Sequence, residues 1–173
     1  IFAIIGSSIG AHLSLIVPSK VMMYVLIIIL PITAFFVLNK KLFPDREGEE
    51  VTLDKKTYLT ATIAAFVIGG YDGFYGPGTG TFLIIAFTVF AKLGIKKANA
   101  QAKVINLTTN ITSLVIFLLN GQVLIPLGLA AAACNMVGGY LGAGMVMKNG
   151  SKIVRPSILL VLFLLFLKII GVY

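Results

Sequence analysis

Apolar runs of bilayer length recur along this chain, and nothing else in it constrains the fold as strongly. They cover roughly 1–16, 21–38, 104–119, 125–147 and 156–173, and a spanning helix needs about 20 mostly apolar residues. A further apolar stretch, 58–91, is interrupted in its middle by glycine and proline. Of the 173 residues, 58% are hydrophobic and 12% charged, where a soluble domain carries about 25% charged residues. At a mean hydropathy of +1.03, a chain of this size has more apolar surface than one core can hide. The solvent for most of it is therefore lipid. The expected fold is all-α, a polytopic transmembrane helical bundle.

The net charge of +8 would point to an anionic partner such as nucleic acid on a soluble domain. Here the lysines and arginines fall in short connectors between apolar runs, where the positive-inside rule places them, so no nucleic acid is expected. Connector 39–57 holds Lys40, Lys41, Arg46, Lys55 and Lys56 beside Glu47, Glu49 and Glu50. Connector 92–103 holds Lys92, Lys96, Lys97 and Lys103, and 148–155 holds Lys148, Lys152 and Arg155. Connector 120–124 has no basic residue and is expected outside. All three basic connectors then lie inside, provided stretch 58–91 enters and returns on one side. The lone Cys134 and lone His12 remove disulfide, Cys/His metal and Ser-His-Asp chemistry within this chain, so neither a cofactor nor a metal is expected.

Residues 6–21 resemble residues 138–153. At a constant offset Gly6 matches Gly138, Gly10 matches Gly142, Ala11 matches Ala143, and Ser19-Lys20-Val21 matches Ser151-Lys152-Ile153. Small-xxx-small spacing alone is common where helices pack closely in lipid. A repeat would make residues 1–38 the tail of a first copy, 39–57 a polar cytoplasmic loop and 58–173 the second copy. An odd number of crossings separates the two Ser-Lys steps, which is the plan of an inverted-topology repeat. The start at Ile1, with no Met and no charged n-region, is expected of a fragment without a signal peptide.

The run from Gly69 to Thr81 carries six glycines and one proline in thirteen positions, a composition expected to break a helix. Its flanks, Tyr58–Ile68 and Phe82–Ala91, are each expected to be too short to cross about 30 Å. Irregular backbone at membrane depth is tolerated where it is buried in protein or lines a wet cavity, so the segment reads as a broken or re-entrant helix. A second half beginning near Gly80 or Thr81 would turn unpaired N–H groups and a positive dipole end toward the break, an anion-binding device. Gly76, Gly78 and Gly80 admit close approach, and the Thr79 and Thr81 hydroxyls add donors. A hairpin whose glycines serve only packing is the alternative. The Gly-Lys-Ser/Thr ending of a P-loop is absent.

Asp72 is the one acid within the apolar stretches. A charge at a helix centre costs about 2.5–3.5 kcal/mol on insertion scales, so it either works, carrying a proton or pairing with a cation, or caps free N–H groups of the break. On the next span Lys103, Asn106, Asn110 and Ser113 lie within about 80° of one another on a 3.6-residue helix. Lys103 can snorkel to the headgroups. Asn106 and Asn110 lie deeper, as pore-lining or helix-joining amides.

The run Gly70-Tyr71-Asp72-Gly73-Phe74-Tyr75-Gly76-Pro77-Gly78-Thr79-Gly80-Thr81-Phe82-Leu83 resembles the second-half signature of the TauE/SafE sulfite-exporter family, close to G-x-x-D-G-F-x-G-P-G-T-G-x-F. Lys103-Val104-Ile105-Asn106-Leu107-Thr108-Thr109-Asn110 resembles that family's K-x-x-N-x-x-S/T-N helix. The likeness covers essentially the whole chain, as the C-terminal two-thirds of a member. It implies a multi-pass transporter in an inner or plasma membrane that moves sulfur-containing or organic anions such as sulfite, sulfonates or sulfoacetate. The expected partners are a small anion and the bilayer, with a homo-oligomer left open. The expected substrate-binding residues are Asp72, Gly76, Gly78, Thr79, Gly80, Thr81, Lys103, Asn106 and Asn110, with none catalytic. A non-transporting membrane subunit and an intramembrane enzyme are the alternatives. The latter lacks the second carboxylate of an aspartyl dyad.

Overall fold

A computed structural model describes residues 1–38, 54–149, 160 and 164. Among them the chain is helical, with no strand. The helices are α1 (Phe2–Ile16), α2 (Ser19–Leu38), α3 (Lys55–Phe74), α4 (Thr79–Ile85), α5 (Ile95–Leu119) and α6 (Ile125–Asn149), and a π-helical turn, Ala86–Phe90, prolongs α4. Among the described residues two helical stretches are long and apolar enough to cross a membrane, Lys97–Leu119 with 23 residues and Ile125–Gly142 with 18. The expected span 156–173, Lys40, Lys41 and Arg46 of the first basic connector, and Lys152 and Arg155 of the last lie outside the described residues.

The chain divides into two compact units, Ile1–Asn120 and Gly121–Tyr173. In the first, α1 lies against α3 and α5, and α4 packs on both α3 and α5, with a lighter contact to α2. A small core of Ala64, Leu83, Ala86, Phe87, Ala91, Leu93, Ala98 and Ala102 joins α3, α4, the π turn and α5. Outside this core the helices present bare apolar side chains, among them Ile9 and Leu13 of α1, Ile63 and Val67 of α3, and Leu107, Ile111 and Leu114 of α5. Such a surface suits lipid, not water. In the second unit, the described side chains of α6 from Ile125 to Leu141 are exposed.

The glycine-rich run corrects one expectation. It does not break the helix from Gly69 onward: α3 continues through Gly69, Gly70 and Gly73 to Phe74, and the interruption is confined to Tyr75–Gly78. With 20 residues, α3 is about 30 Å long, so its flank is not short. The reason lies on α1. A Cβ placed on Gly6 would sit 2.2 Å from the Phe66 carbonyl oxygen, one on Gly10 2.0 Å from that of Gly70, and one on Gly73 2.2 Å from that of Ser7. Glycines on both helices bring the two backbones together, as small-xxx-small surfaces do in lipid. The packing offsets the entropy that each glycine costs inside a helix.

A second correction concerns connector 92–103. Helix α5 starts at Ile95, because Gly94 is extended, with φ −60° and ψ 148°, and everything after it follows helical hydrophobic spacing. Lys96, Lys97 and Lys103 are therefore helical residues, and the connector shrinks to about Ala91–Gly94. The start of α3 agrees with its sequence: the Asp54 side chain accepts a bond of 2.8 Å from the Thr57 backbone N–H, an N-cap that ends connector 39–57.

Candidate functional site

The interruption between α3 and α4 is a tightly held turn. The Tyr75 and Gly76 N–H groups both donate to the Tyr71 carbonyl, at 2.8 and 3.2 Å, closing α3. Gly76 and Gly78 follow at φ +92° and +88°, the left-handed region that glycine enters without steric cost. The Tyr71 hydroxyl donates to the Pro77 carbonyl at 2.6 Å, and its ring meets Phe82 edge-on with centroids 5.7 Å apart. Tyr71 therefore ties the end of α3 to the turn and to the first turn of α4.

Buried Thr79 turns its hydroxyl back to the Gly76 carbonyl at 2.6 Å, and its own N–H donates to the same oxygen at 3.1 Å. Its role is thus to shape the turn. The N–H groups at the start of a helix lack intrahelical partners, and here those of the α4 start belong to residues beside Gly80. A Cβ on Gly80 would lie 3.9 Å from Asn106 Nδ2, which puts the start of α4 opposite the polar stripe of α5. On that stripe the Asn110 amide donates to both the backbone carbonyl and the Oδ1 of Asn106, at 2.7 Å each. The two amides thus act as a unit. Thr81 is half-buried in the same turn and Lys103 is exposed one turn away on α5.

Asp72 sits one turn before the interruption, half-buried, and receives a hydrogen bond on Oδ2 from the Thr109 hydroxyl. Its other oxygen faces Gly76, where a Cβ would come within 3.4 Å of Oδ1. Thr109 is fully buried, and its carbonyl accepts from Ser7 and from Ser113 at 2.9 Å each, with the two serine hydroxyls 2.9 Å apart. A chain of hydroxyls from α1 and α5 thus buttresses the carboxylate of α3. Of the sequence-expected residues, the structure gathers Asp72, Gly76, Gly78, Thr79, Gly80, Thr81, Asn106 and Asn110 around one turn. Lys103 lies at the margin.

Four residues of this constellation escape a reading by residue type. Tyr71 reads as one more apolar residue in a hydrophobic stretch. Thr109 and Ser7 read as ordinary small polar residues of membrane helices, although the S/T step of the K-x-x-N-x-x-S/T-N pattern falls on Thr109. The fourth is Thr33 of α2. Its Oγ1 is buried with no hydrogen-bond partner among the described residues, and a Cβ on Gly78 would lie 2.6 Å from it. Nothing in a sequence separates this threonine from the apolar residues around it.

The model of the sulfite exporter TauE/SafE family matches residues 1–169. The chain belongs to the sulfite exporter TauE/SafE family. It is 33% identical over 172 residues to a protein of Haemophilus influenzae named "Probable membrane transporter protein", an alignment covering 98% of this chain and 66% of the relative. It is 35% identical over 159 residues to "Probable membrane transporter protein YfcA" of Escherichia coli K12, covering 91% of this chain and 57% of the relative. The chain therefore spans about 57% to 66% of the length of these curated relatives. No solved structure matches it. Membership identifies a membrane transporter family, and the turn at Tyr75–Gly78, with the amides and hydroxyls around it, is where the TauE/SafE signature of this chain has its three-dimensional form.

Proposed function

We propose that the protein is a multi-pass transporter of an inner or plasma membrane that carries small sulfur-containing or organic anions, of the sulfite, sulfonate or sulfoacetate kind. In this reading the anion binds at the start of α4, between the backbone N–H groups around Gly80 and Thr81 and the Asn106–Asn110 amide pair. One observation carries this reading above the others: the buried hydroxyl of Thr33, with no partner among the described residues, beside the left-handed Gly78. Buried polar atoms are nearly always paired, and a hydroxyl donor at the mouth of a positively polarised turn fits an anion that supplies the missing acceptor. Depth supports the same reading. The twelve residues of Thr79–Phe90 are about 18 Å long, so with Lys92 at the membrane surface the turn lies within a core about 30 Å thick. Midplane sites at interrupted helices are how many secondary transporters hold substrate.

Asp72 beside this site is the proposed proton carrier. A fixed negative charge there repels an anion, whereas the protonated acid admits it and lets the proton travel along. Transport is favoured over catalysis because the other acid among the described residues, Asp54, caps the far end of α3, so no carboxylate pair forms at the turn among the described residues. The relatives' names also describe transporters. The inverted repeat belongs to this proposal as well: Gly6 and Gly10 are the surface that α1 turns to α3, and Gly138 and Gly142 occupy the matching positions of α6.

The test is flux into vesicles containing the intact protein. Saturable uptake of sulfite or a small sulfonate is expected, reduced by competing anions of that class and not by a neutral solute of equal size. Uptake of none of these anions above protein-free vesicles, or equal uptake of the neutral solute, overturns the reading.

A further inference from the structure

Away from the turn, the π-helical extension of α4 shapes a second feature. Its Ala91 N–H reaches back to the Ala86 carbonyl at 3.2 Å and its Leu93 N–H to the Phe87 carbonyl at 2.9 Å, a wider winding than an α-helix. Short π-helical segments are frequent at functional sites. Here the widened turn leaves Val89 and Phe90 partly outside, 40% and 65% exposed. Between them and α3 runs a groove of about 540 Å³, whose lining includes Thr60, Ile63, Val67, Val89, Phe90 and Lys92. That volume lies within the range of about 300–1,000 Å³ usual for small-molecule sites.

The lysine is the unexpected element. Lys92 is the one residue other than glycine with a positive φ among the described residues, at 55°. It occupies the position after a helix end where glycine is the usual choice, because a side chain there is strained. A glycine would complete the same turn with less strain, so the cation is held at the groove mouth at a conformational cost. The surroundings fix what such a site takes. The groove walls are apolar except for the Thr60 side chain and belong to helices whose outer faces are bare hydrocarbon. Its one charged lining residue is positive and exposed. Lys92 also stands at the basic end of α4, where headgroups of an anionic leaflet lie.

We propose that this groove binds one anionic phospholipid, with an acyl chain along Ile63, Val67 and Phe90 and the phosphate on the Lys92 ammonium. The proposal rests on the placement of the chain in a membrane and is independent of the anion site at Gly78–Thr81.

Native mass spectrometry of the intact protein, incubated with equal amounts of phosphatidylglycerol and phosphatidylcholine, tests it without any transport readout. At least a tenfold preference for retained phosphatidylglycerol is expected. Lys92→Gly should bring that preference to within twofold while leaving the melting temperature unchanged or higher, because the turn loses its strain. Val67→Trp, which fills the groove from an exposed position, should reduce retention of both lipids. Lys97→Gln, an exposed cation outside the groove, should leave the preference intact. Equal retention of the two lipids by the wild type overturns the proposal. So does a preference that survives Lys92→Gly, or one that falls as far with Lys97→Gln as with Lys92→Gly. Persistence of lipid binding alongside absent anion flux would leave the groove standing and remove only the transport reading.

Discussion

Asp72 and Thr109 are joined across two helices by a hydroxyl donating to a carboxylate. Removing the donor leaves the acid half-buried with one acceptor unmet, a loss of about 1–3 kcal/mol. Thr109→Val is therefore expected to lower the denaturation midpoint of the purified protein, and Thr109→Ser to restore it. Asp72→Asn is a different experiment, since an amide oxygen still accepts from Thr109 and the size hardly changes. With Asp72 as proton carrier, the Asn variant should keep anion binding and lose the dependence of flux on a pH gradient, measured in vesicles with imposed gradients. Gradient dependence that persists in the variant would reduce Asp72 to a strut between α3 and α5. The glycines of the turn separate in the same way. A side chain at Gly78 meets both φ +88° and the Thr33 hydroxyl, so Gly78→Val is expected to damage the turn itself. Gly80 has room for a Cβ before Asn106 and lies in ordinary helix. Gly80→Val should accordingly reach the membrane in wild-type amounts and still lose transport, because its branches fill the space the anion needs. Wild-type uptake by Gly80→Val places the anion elsewhere.

Among the elements, α1 and α3 make the closest contact, and they owe it to glycines in both. A Cβ on Gly10 would fall 2.0 Å from a backbone oxygen, which no rotamer change relieves. The helices have to move apart, breaking the Ser7 bonds to α5 as they do so. Gly10→Val is expected to cost about 3 kcal/mol or more, at or beyond the upper end for overpacked sites, seen as lost yield and a lowered melting temperature in detergent. This element also shows where reading by composition stops. Six glycines in thirteen positions look like one break, yet four of them, Gly69, Gly70, Gly73 and Gly80, are helical. Whether a glycine ends a helix or sits inside one depends on whether another backbone lies against it, and that backbone is some 60 residues away in the chain. The positions of α1, α2, α5 and α6 were legible because apolar runs of bilayer length leave few alternatives for the backbone in lipid. The basic connector at 92–103 was misread as a loop because lysines are good helix formers and carry no signal of where a helix begins.

For the whole molecule, the expectation that follows from charge is orientation. Helix α5 has 25 residues, about 37 Å of helix, enough to take its two ends to opposite membrane faces. Single cysteines at Lys97 and Asn120, in a Cys134→Ser background, are expected to react with an impermeant thiol reagent from opposite sides, Lys97 from the cytoplasmic one. Labelling of both from one face would sink the topology. The sides assigned to 39–53 and 150–155, which lie outside the described residues, are open to the same measurement.

Read alone, the sequence determined that this chain is helical, lies in lipid and carries a transporter-family signature. Those conclusions depend on local facts: hydropathy over some 20 residues, charge between apolar runs, and the order of residues in one motif. Only the tertiary structure decided how narrow the interruption is, that Thr79 bonds inward, that Thr109 donates to Asp72 while Ser7 donates to the Thr109 carbonyl, and that Thr33 has no partner among the described residues beside Gly78. Apart from the local Thr79 bond to Gly76, these depend on contacts between helices far apart in the chain, and a hydrogen bond or a steric exclusion exists only once two such surfaces are a few ångströms apart.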